Sequence, residues 1–323
     1  MQLPWGESPP LMLAPLQGLT HASMRKVQVE LGAPDVLFSE FVPTSNVSQR
    51  RISRRDLEDS RTYALNVPFV MQLVGNNPHA LSEAALLLQD NGVQHLNLNL
   101  GCPYGRMTTA PTGGAMLQDV ERVERCLKAL RKVVYGGLSV KVRSGYDNSR
   151  QIIDLLALFE DNGVDFIVLH PRTVVQKYTG YADHSVTKDV VAATSIPVIA
   201  NGDVTTAEQG RALLHETGAA GLMLGRGAIA DPWLFKRLRS GAAPKVDVAQ
   251  RRAQLRVYLL RLLEECRQAY AGEYQVLAKL KNVVQFVEDE ELQRWCGKIK
   301  RTRSLQRFSA MVESLQDTCV GEE

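Results

Sequence analysis

The sequence predicts an α/β chain, a (β/α)8 TIM barrel followed by a small C-terminal helical domain. Three observations predict it. From residue 11 to about 240, short apolar runs rich in Val, Ile and Leu alternate with longer stretches of helical periodicity, the pattern of parallel strands joined by crossover helices. Eight such units can be counted, and eight βα units match a closed barrel, which takes about 250 residues. Beyond about residue 240 the strand signal stops and only helical periodicity continues.

The expected strands are Leu11–Ala14, Val36–Ser39, Phe69–Leu73, His95–Leu100, Leu138–Val142, Phe166–His170, Val198–Asn201 and Gly221–Leu224. Each is bounded by Gly, Pro, Asn or Asp, residues that end strands. A doubly wound open sheet would carry a Gly-rich dinucleotide turn after its first strand, and Pro15-Leu16-Gln17-Gly18 is not one. Gly241-Ala-Ala-Pro244 reads as a linker between a barrel domain, 1–240, and a helical domain, 241–323, with helices expected near 247–270, 274–287 and 303–316.

Composition narrows the function classes. With 323 residues and 45% hydrophobic content the chain can bury a large core. The N-terminus lacks a basic start followed by an apolar run, and no stretch approaches the roughly 20 apolar residues of a membrane span. Secretion and membrane insertion are therefore not expected. The five cysteines, Cys102, Cys126, Cys266, Cys296 and Cys319, are scattered and form no Cys-x-x-Cys pair, so no zinc or dithiol site is expected and a reducing cytoplasm is the natural setting. A net charge of +3 is too small to identify a nucleic-acid binder; a basic signal has to come from local clusters.

In such a barrel the chemistry lies at the C-terminal strand ends. These are polar throughout: Pro15 and Gln17, Glu40, Gln72, Asn97 with Asn99 and Cys102, Lys141 and Arg143, His170 and Arg172, Asn201 and Asp203, then Gly225 and Arg226. A single polar residue there is commonly a cap or a loop anchor, but polarity at all eight ends points to a site. Asn201-Gly202-Asp203 and Gly225-Arg226-Gly227 follow the last two strands, where barrels bind phosphate through glycine N–H groups. Gln72, Lys141 and His170 are placed to line a flat heterocycle. Lys141, between Val140 and Val142, reads as a stabiliser of negative charge or a Schiff-base nucleophile, and least as a solvated cation. Cys102 stands on a loop of Gly and Pro just past a strand end, fit for a proton donor or nucleophile, whereas the other four cysteines read as buried small hydrophobes.

Asn99-Leu-Gly-Cys-Pro103 followed by Gly113-Gly-Ala115 is similar to the active-site loop of the tRNA-dihydrouridine synthases. Leu13-Ala-Pro-Leu-Gln-Gly18, Ser39-Glu-Phe-Val42, Gln72-Leu-Val-Gly75, Val140-Lys-Val-Arg-Ser-Gly145, His170-Pro-Arg-Thr173, Ala200-Asn-Gly-Asp203 and Leu224-Gly-Arg-Gly227 resemble that family in order and spacing. The resemblance implies FMN held by Pro15, Leu16, Gln17, Gln72, Lys141, His170, Asn201, Gly202, Asp203, Gly225 and Arg226. It implies Cys102 as general acid and Asn99 as the residue holding the target base, with Arg143 and Arg172 on flavin or RNA. NADPH, or NADH, would reduce the flavin, hydride would pass to C6 of a uridine in tRNA, and no metal is needed. The enzyme is expected to be monomeric and to bind the base flipped out.

RNA needs a cationic grip. Arg294 to Arg307 holds six cations, among them Lys298, Lys300, Arg301 and Arg303, and no acid; Arg50, Arg51, Arg54 and Arg55 lie in a long connection after the second strand. Either cluster by itself is as well explained as a solvated face, but two beside a uracil-reducing site favour phosphate contact. Tyr274-Gln-Val-Leu-Ala-Lys-Leu-Lys-Asn282 looks most like the C-type bacterial enzymes that act on U16 of the D-loop. The chain departs from the family pattern at Leu16 (usually Met), Asn97 (often Asp), Pro171 (usually Gly) and Pro111, changes that bear on loop conformation and subfamily. Two rival classes remain: an FMN barrel acting on a free small molecule of dihydroorotate or enoate type, which has no use for the basic tail, and a non-catalytic RNA-binding flavoprotein, in which Cys102 is dispensable.

Overall fold

The structure, a computed structural model, describes residues 3–44, 52–60, 66–104, 111–241, 247–288 and 290–316. They form two compact units. The first comprises residues 1–16, 34–204 and 209–225, and the second residues 17–33, 205–208 and 226–323. A division at the sequence-predicted linker would put residues 17–33 and 226–240 with the barrel. They instead cluster with the helical tail, because the first helix spends its buried face on it.

The strands of the first unit are β1 Leu11–Leu13, β2 Val36–Phe38, β3 Val42–Pro43, β4 Phe69–Val74, β5 His95–Leu100, β6 Gly137–Arg143, β7 Phe166–His170, β8 Val198–Asn201 and β9 Gly221–Leu224. Every pairing is parallel. The order β2-β1-β9-β8-β7-β6-β5-β4 closes on itself through a β2–β4 pairing, and β3 hangs on the edge of β4. An eight-stranded parallel barrel results; four of the sequence-predicted strands coincide with the observed ones and the other four differ by a single residue at one or both ends. The two-residue β3, which contains Pro43, is too short to leave a periodic signal.

Because side chains alternate across a strand, each contributes one set to the inside. Met12, Ala14, Val36, Phe38, Val70, Phe166, Val168, Ile199 and Met223 contact one another across the strands and fill the interior. Trp5 closes on this layer, edge-on to Phe166 with ring centroids 4.9 Å apart. The outer faces of β4–β8 bury Leu, Val and Ile against α3 Pro78–Asp90, α4 Val120–Val133, α5 Gln151–Asp161 and α6 His184–Ala193. Three of these four helices begin where the chain supplies an acceptor: Asn77 caps α3, Asp119 caps α4 and Asp183 caps α6 through side-chain bonds to backbone N–H groups. A short exposed helix, α2 Arg54–Ser60, follows β3, and α7 Ala207–Thr217 precedes β9.

The second unit contains α1 Ala22–Leu31, α8 Arg226–Ala230, α9 Leu234–Arg239, α10 Val248–Ala269, α11 Glu273–Val284, α12 Gln293–Arg301 and α13 Leu305–Glu313. Within it Gln28 Nε2 donates to the Ala228 carbonyl at 2.8 Å, Tyr258 Oη donates to the Ile229 carbonyl at 3.1 Å, and Lys26 pairs with Glu265 at 3.0 Å. Helix α12 has no counterpart among the three sequence-predicted tail helices. It is only nine residues long, carries Gly297 and buries just Cys296 and Ile299, so the apolar content that marks a helix is small although its two faces are sharply divided. No helix among the described residues is long and apolar enough to cross a membrane.

Candidate active site

The C-terminal strand ends of the first unit carry a continuous polar network. Ser39 Oγ accepts from the Gln72 backbone N–H at 2.9 Å; Gln72 Nε2 donates to Asn97 Oδ1, and Asn97 Nδ2 to Ser139 Oγ, each at 2.8 Å. Asn99 Nδ2 donates to Gln72 Oε1 at 2.8 Å. All five side chains are buried, so each bond left unmade would cost about 1–3 kcal/mol. Ser39 and Ser139 were not among the expected site residues. The alternation Ser139-Val-Lys141 along β6 does put Ser139 on the same inward face as Lys141, the one signal that could have found it.

Cys102 follows β5, half-buried, and its loop is pinned from three sides. Asn99 Oδ1 accepts from the backbone N–H groups of Gly101 and Cys102 at 3.1 and 2.9 Å. Arg143 Nε donates to the Gly101 carbonyl at 2.9 Å. Returning chain closes the loop, with Gly114 N–H donating to the Cys102 carbonyl at 3.0 Å. Gly113, at φ +58°, leaves no room for a side chain: a Cβ there would stand 3.0 Å from that of Cys102. Pro111 accepts through its carbonyl from Asn76 Nδ2 at 2.9 Å, anchoring the start of this return.

Arg143 and Arg172, expected on flavin or RNA, lie at this same end of the barrel. Both are buried, and both are occupied inside the protein. Arg143 also donates to the carbonyls of Thr173 and Lys177, at 2.8 and 2.6 Å. Arg172 holds Asp203 through two bonds of 2.9 and 2.7 Å and reaches the carbonyls of Thr179 and Gly180. Through these bonds the two arginines brace the loop after β7. Asn99 likewise bonds Gln72 through its amide nitrogen and the cysteine loop through its amide oxygen.

The next two strands bring up the turn expected to bind phosphate. Asn201 Nδ2 donates to the Met223 carbonyl at 2.8 Å, tying β8 to β9. Gly202 and Asp203 adopt φ +136° and +54°, and a Cβ on Gly202 would collide with Ala182 at 2.9 Å. His184 Nε2 lies 3.1 Å from the Gly202 carbonyl, a support that no sequence signal announces. Gly225 is lined by Ala14 and Leu16 at ordinary contact distance. Pro15, Leu16, Gln72, Lys141, His170, Asn201, Gly202, Asp203 and Gly225 belong to the first unit; Gln17 and Arg226 belong to the second.

Electrostatically this end of the barrel is cation-rich. Burial, then Arg143, brings Lys141 down to about 8, partly offset by the Cys102 sulfur. Burial also holds His170 well below the ordinary histidine range, reinforced by Lys141, Arg143, Arg172 and His184, so it stays neutral at pH 7. The acid beside them, Asp203, is held by Arg172. A donor set with buried positive charge and a neutral imidazole fits a ligand that brings a phosphate and an electron-rich ring.

Cys126, Cys266 and Cys296 are buried, as small hydrophobes, and burial raises Cys126 and Cys266 to about 12; Cys319 lies outside the described residues. Among the described residues no group of His, Cys, Asp and Glu could hold a metal. The six cations of Arg294–Arg307 are all exposed, on and after α12, while Ile299, Thr302 and Leu305 turn inward. Arg54 and Arg55 are exposed on α2, with Arg54 paired to Glu58 at 3.0 Å; Arg50 and Arg51 lie outside the described residues.

A parallel (β/α)8 barrel with a thiol, a half-buried lysine and a glycine turn at its C-terminal end has the arrangement of a barrel enzyme. Residues 12–317 match the model of the dihydrouridine synthase family, and the chain belongs to that family. It is 34% identical over 240 residues to a probable tRNA-dihydrouridine synthase of Rhodobacter capsulatus, covering 74% of each chain. It is 33% identical to tRNA-dihydrouridine synthase B of Xanthomonas axonopodis pv. citri, covering 72% of this chain and 69% of that one, and 34% identical to that of Pseudomonas aeruginosa, covering 74% of each. These last two relatives carry the B designation, whereas the tail had suggested the C type. Among solved structures, histamine dehydrogenase from Rhizobium sp. 4-9 superposes with TM-score 0.59 at 14% identity, over 81% of this chain. A 2-naphthoyl-CoA reductase superposes with TM-score 0.57 at 12% identity, over 72% of it. The chain spans half the length of those two proteins, and the likeness to them is one of fold. Family membership makes the chain a flavin-dependent oxidoreductase.

Proposed function

We propose that the protein reduces the C5–C6 double bond of a uridine in the D-loop of tRNA, with FMN as its flavin and NADPH as electron donor. The observation that carries this reading is Cys102, half-exposed at the barrel end, its loop pinned by Asn99, Arg143 and Gly114 beside half-buried Lys141.

Gln72, Lys141 and His170 would hold the flavin ring, and Asn201, Gly202, Asp203 and Gly225 its phosphate. Pro15, Leu16, Gln17 and Arg226 join them on the strength of the motifs alone. When bound, the reduced flavin supplies hydride to C6 of the uracil. Cys102 then passes its thiol proton to C5, so that both hydrogens of the new single bond are accounted for. Lys141, charged at neutral pH, offsets negative charge on the ring, and neutral His170 donates a hydrogen bond without adding a second charge. Asn99, Arg143 and Arg172 position these groups. The exposed cations Lys298, Lys300, Arg301 and Arg303 take RNA phosphates, and the enzyme acts as a cytoplasmic monomer.

The test is direct. Purified protein loaded with FMN and given NADPH should convert uridine in unmodified tRNA to dihydrouridine, read by mass spectrometry, and leave free uridine unchanged. U16, the position the tail resemblance suggests, is the first to map. Cys102→Ala should bind flavin normally and lose turnover by about 100-fold or more. Turnover on free uridine or a small enoate but not on tRNA would replace this reading with the small-molecule one.

A further inference from the structure

Nine large apolar or aromatic side chains are exposed among the described residues, and four of them, Tyr104, Val175, Tyr178 and Tyr181, stand in the two loops that follow β5 and β7. These are the loop of Cys102 and the loop braced by the two buried arginines. Tyr181 is 90% exposed and Tyr104 63%. Isolated surface aromatics need no explanation, but a concentration beside a reacting group does.

Hydrogen bonds brace the backbone of both loops. The Arg143 guanidinium bonds the Gly101 carbonyl in one loop and those of Thr173 and Lys177 in the other, making the two a single piece. Arg172 bonds the carbonyls of Thr179 and Gly180, and Ala182 N–H donates to Asp203 at 2.8 Å. Thr173 and Gln176 close a turn on each other. Lys177 Nζ sits 5.8 Å above the Tyr104 ring, and Arg143 lies 5.3 Å from that of Tyr178. The chain thus commits two buried arginines to fixing a loop whose aromatic rings remain in water, an arrangement that core packing does not require.

We propose that Tyr104 and Tyr181, with Lys177, form a stacking platform for the unpaired bases that flank the target uridine. This rests on the tRNA reading above. The chemistry favours RNA over a protein partner: flat rings on a preorganised backbone stack any base, and a lysine beside them meets a phosphate. A uridine drawn out to reach Cys102 unstacks its neighbours, and the platform would replace those lost contacts.

The experiment uses FMN-loaded protein, NADPH and unmodified tRNA, comparing wild type with Tyr104→Ala, Tyr181→Ala and the Phe variants at both positions. Each Ala variant is expected to raise KM for tRNA about tenfold, while the Phe variants stay within about twofold because the ring is kept. NADPH-driven flavin reduction without RNA, and thermal melting, should be unchanged in all four. Ala variants with wild-type KM beside an active wild type would overturn the platform alone and leave the patch to a protein partner. Phe variants as defective as Ala would overturn stacking in favour of the hydroxyls. A wild type that leaves every uridine of the tRNA intact would sink the functional reading, and the platform with it.

Discussion

Arg172 and Asp203 meet fork to fork at the C-terminal end of the barrel, Nη1 to Oδ1 at 2.9 Å and Nη2 to Oδ2 at 2.7 Å, with the arginine side chain only 2% exposed. The pair joins the loop after β7 to the glycine turn after β8. It holds Asp203 at φ +54° and so fixes the path of the chain at Gly202.

Removing Arg172 takes the charge partner from Asp203, which is 26% exposed and keeps the Ala182 N–H. Arg172→Met is expected to destabilise the fold by about 1–3 kcal/mol, seen as a lowered melting temperature, and to weaken FMN binding at least tenfold by fluorescence titration. An FMN affinity equal to wild type would show that the turn keeps its shape unaided.

Gly113→Ala tests whether the acid loop must close as it does. The new methyl would stand 3.0 Å from Cys102 Cβ and 3.2 Å from its carbonyl, at a φ that costs a non-glycine residue about 1 kcal/mol. Turnover on tRNA should fall far more than flavin affinity, because the displaced group is the thiol. Equal loss of both would place the damage in the fold at large.

Lys141 predicts a pH dependence of flavin binding. Without ligand it titrates at about 8, and a ligand that sets negative charge against it raises that value. Binding then takes up a proton, so affinity is full below about 8 and falls as pH rises through 8, by up to tenfold per unit. Dissociation constants for FMN measured from pH 6.5 to 9.5 should show this rise, and Lys141→Met should flatten it. The fold itself feels the opposite sign: an unfolded chain keeps this proton to about 10.5, so the lysine's contribution to instability is present below 8 and lifts between the two values.

The basic face of α12 and the segment after it predicts a salt dependence. Replacing Lys300, Arg301 and Arg303 by Ala should raise KM for tRNA and shallow the slope of log affinity against log salt by roughly two units, if each cation meets one phosphate. Flavin reduction by NADPH without RNA should not change. A slope equal to wild type would return these cations to the status of a solvated face.

The sequence by itself determined the barrel and where its chemistry lies. Parallel strands buried on both faces must be runs of Val, Ile and Leu, so β4 to β9 were legible residue by residue, and a polar residue breaking such a run at its end, as Lys141 and His170 do, marks the open face. It determined the family too, because Asn99-Leu-Gly-Cys-Pro103, Gly113-Gly-Ala115 and the motifs at the other strand ends stand in the family's order and spacing. Three things were decided only in three dimensions. Helix α12 was invisible, its cations outnumbering its buried residues. Residues 17–33, first after the opening strand, joined the tail, because Gln28 and Lys26 find partners 200 and 239 residues away along the chain. Arg143, Arg172 and Asn99 read as contacts for a ligand, and only the structure shows that each also bonds the protein's own loops, for a polar side chain at a strand end looks the same in sequence whatever internal bonds it makes. Hydrogen-bond partners are a property of distance in space, and that is what folding alone supplies.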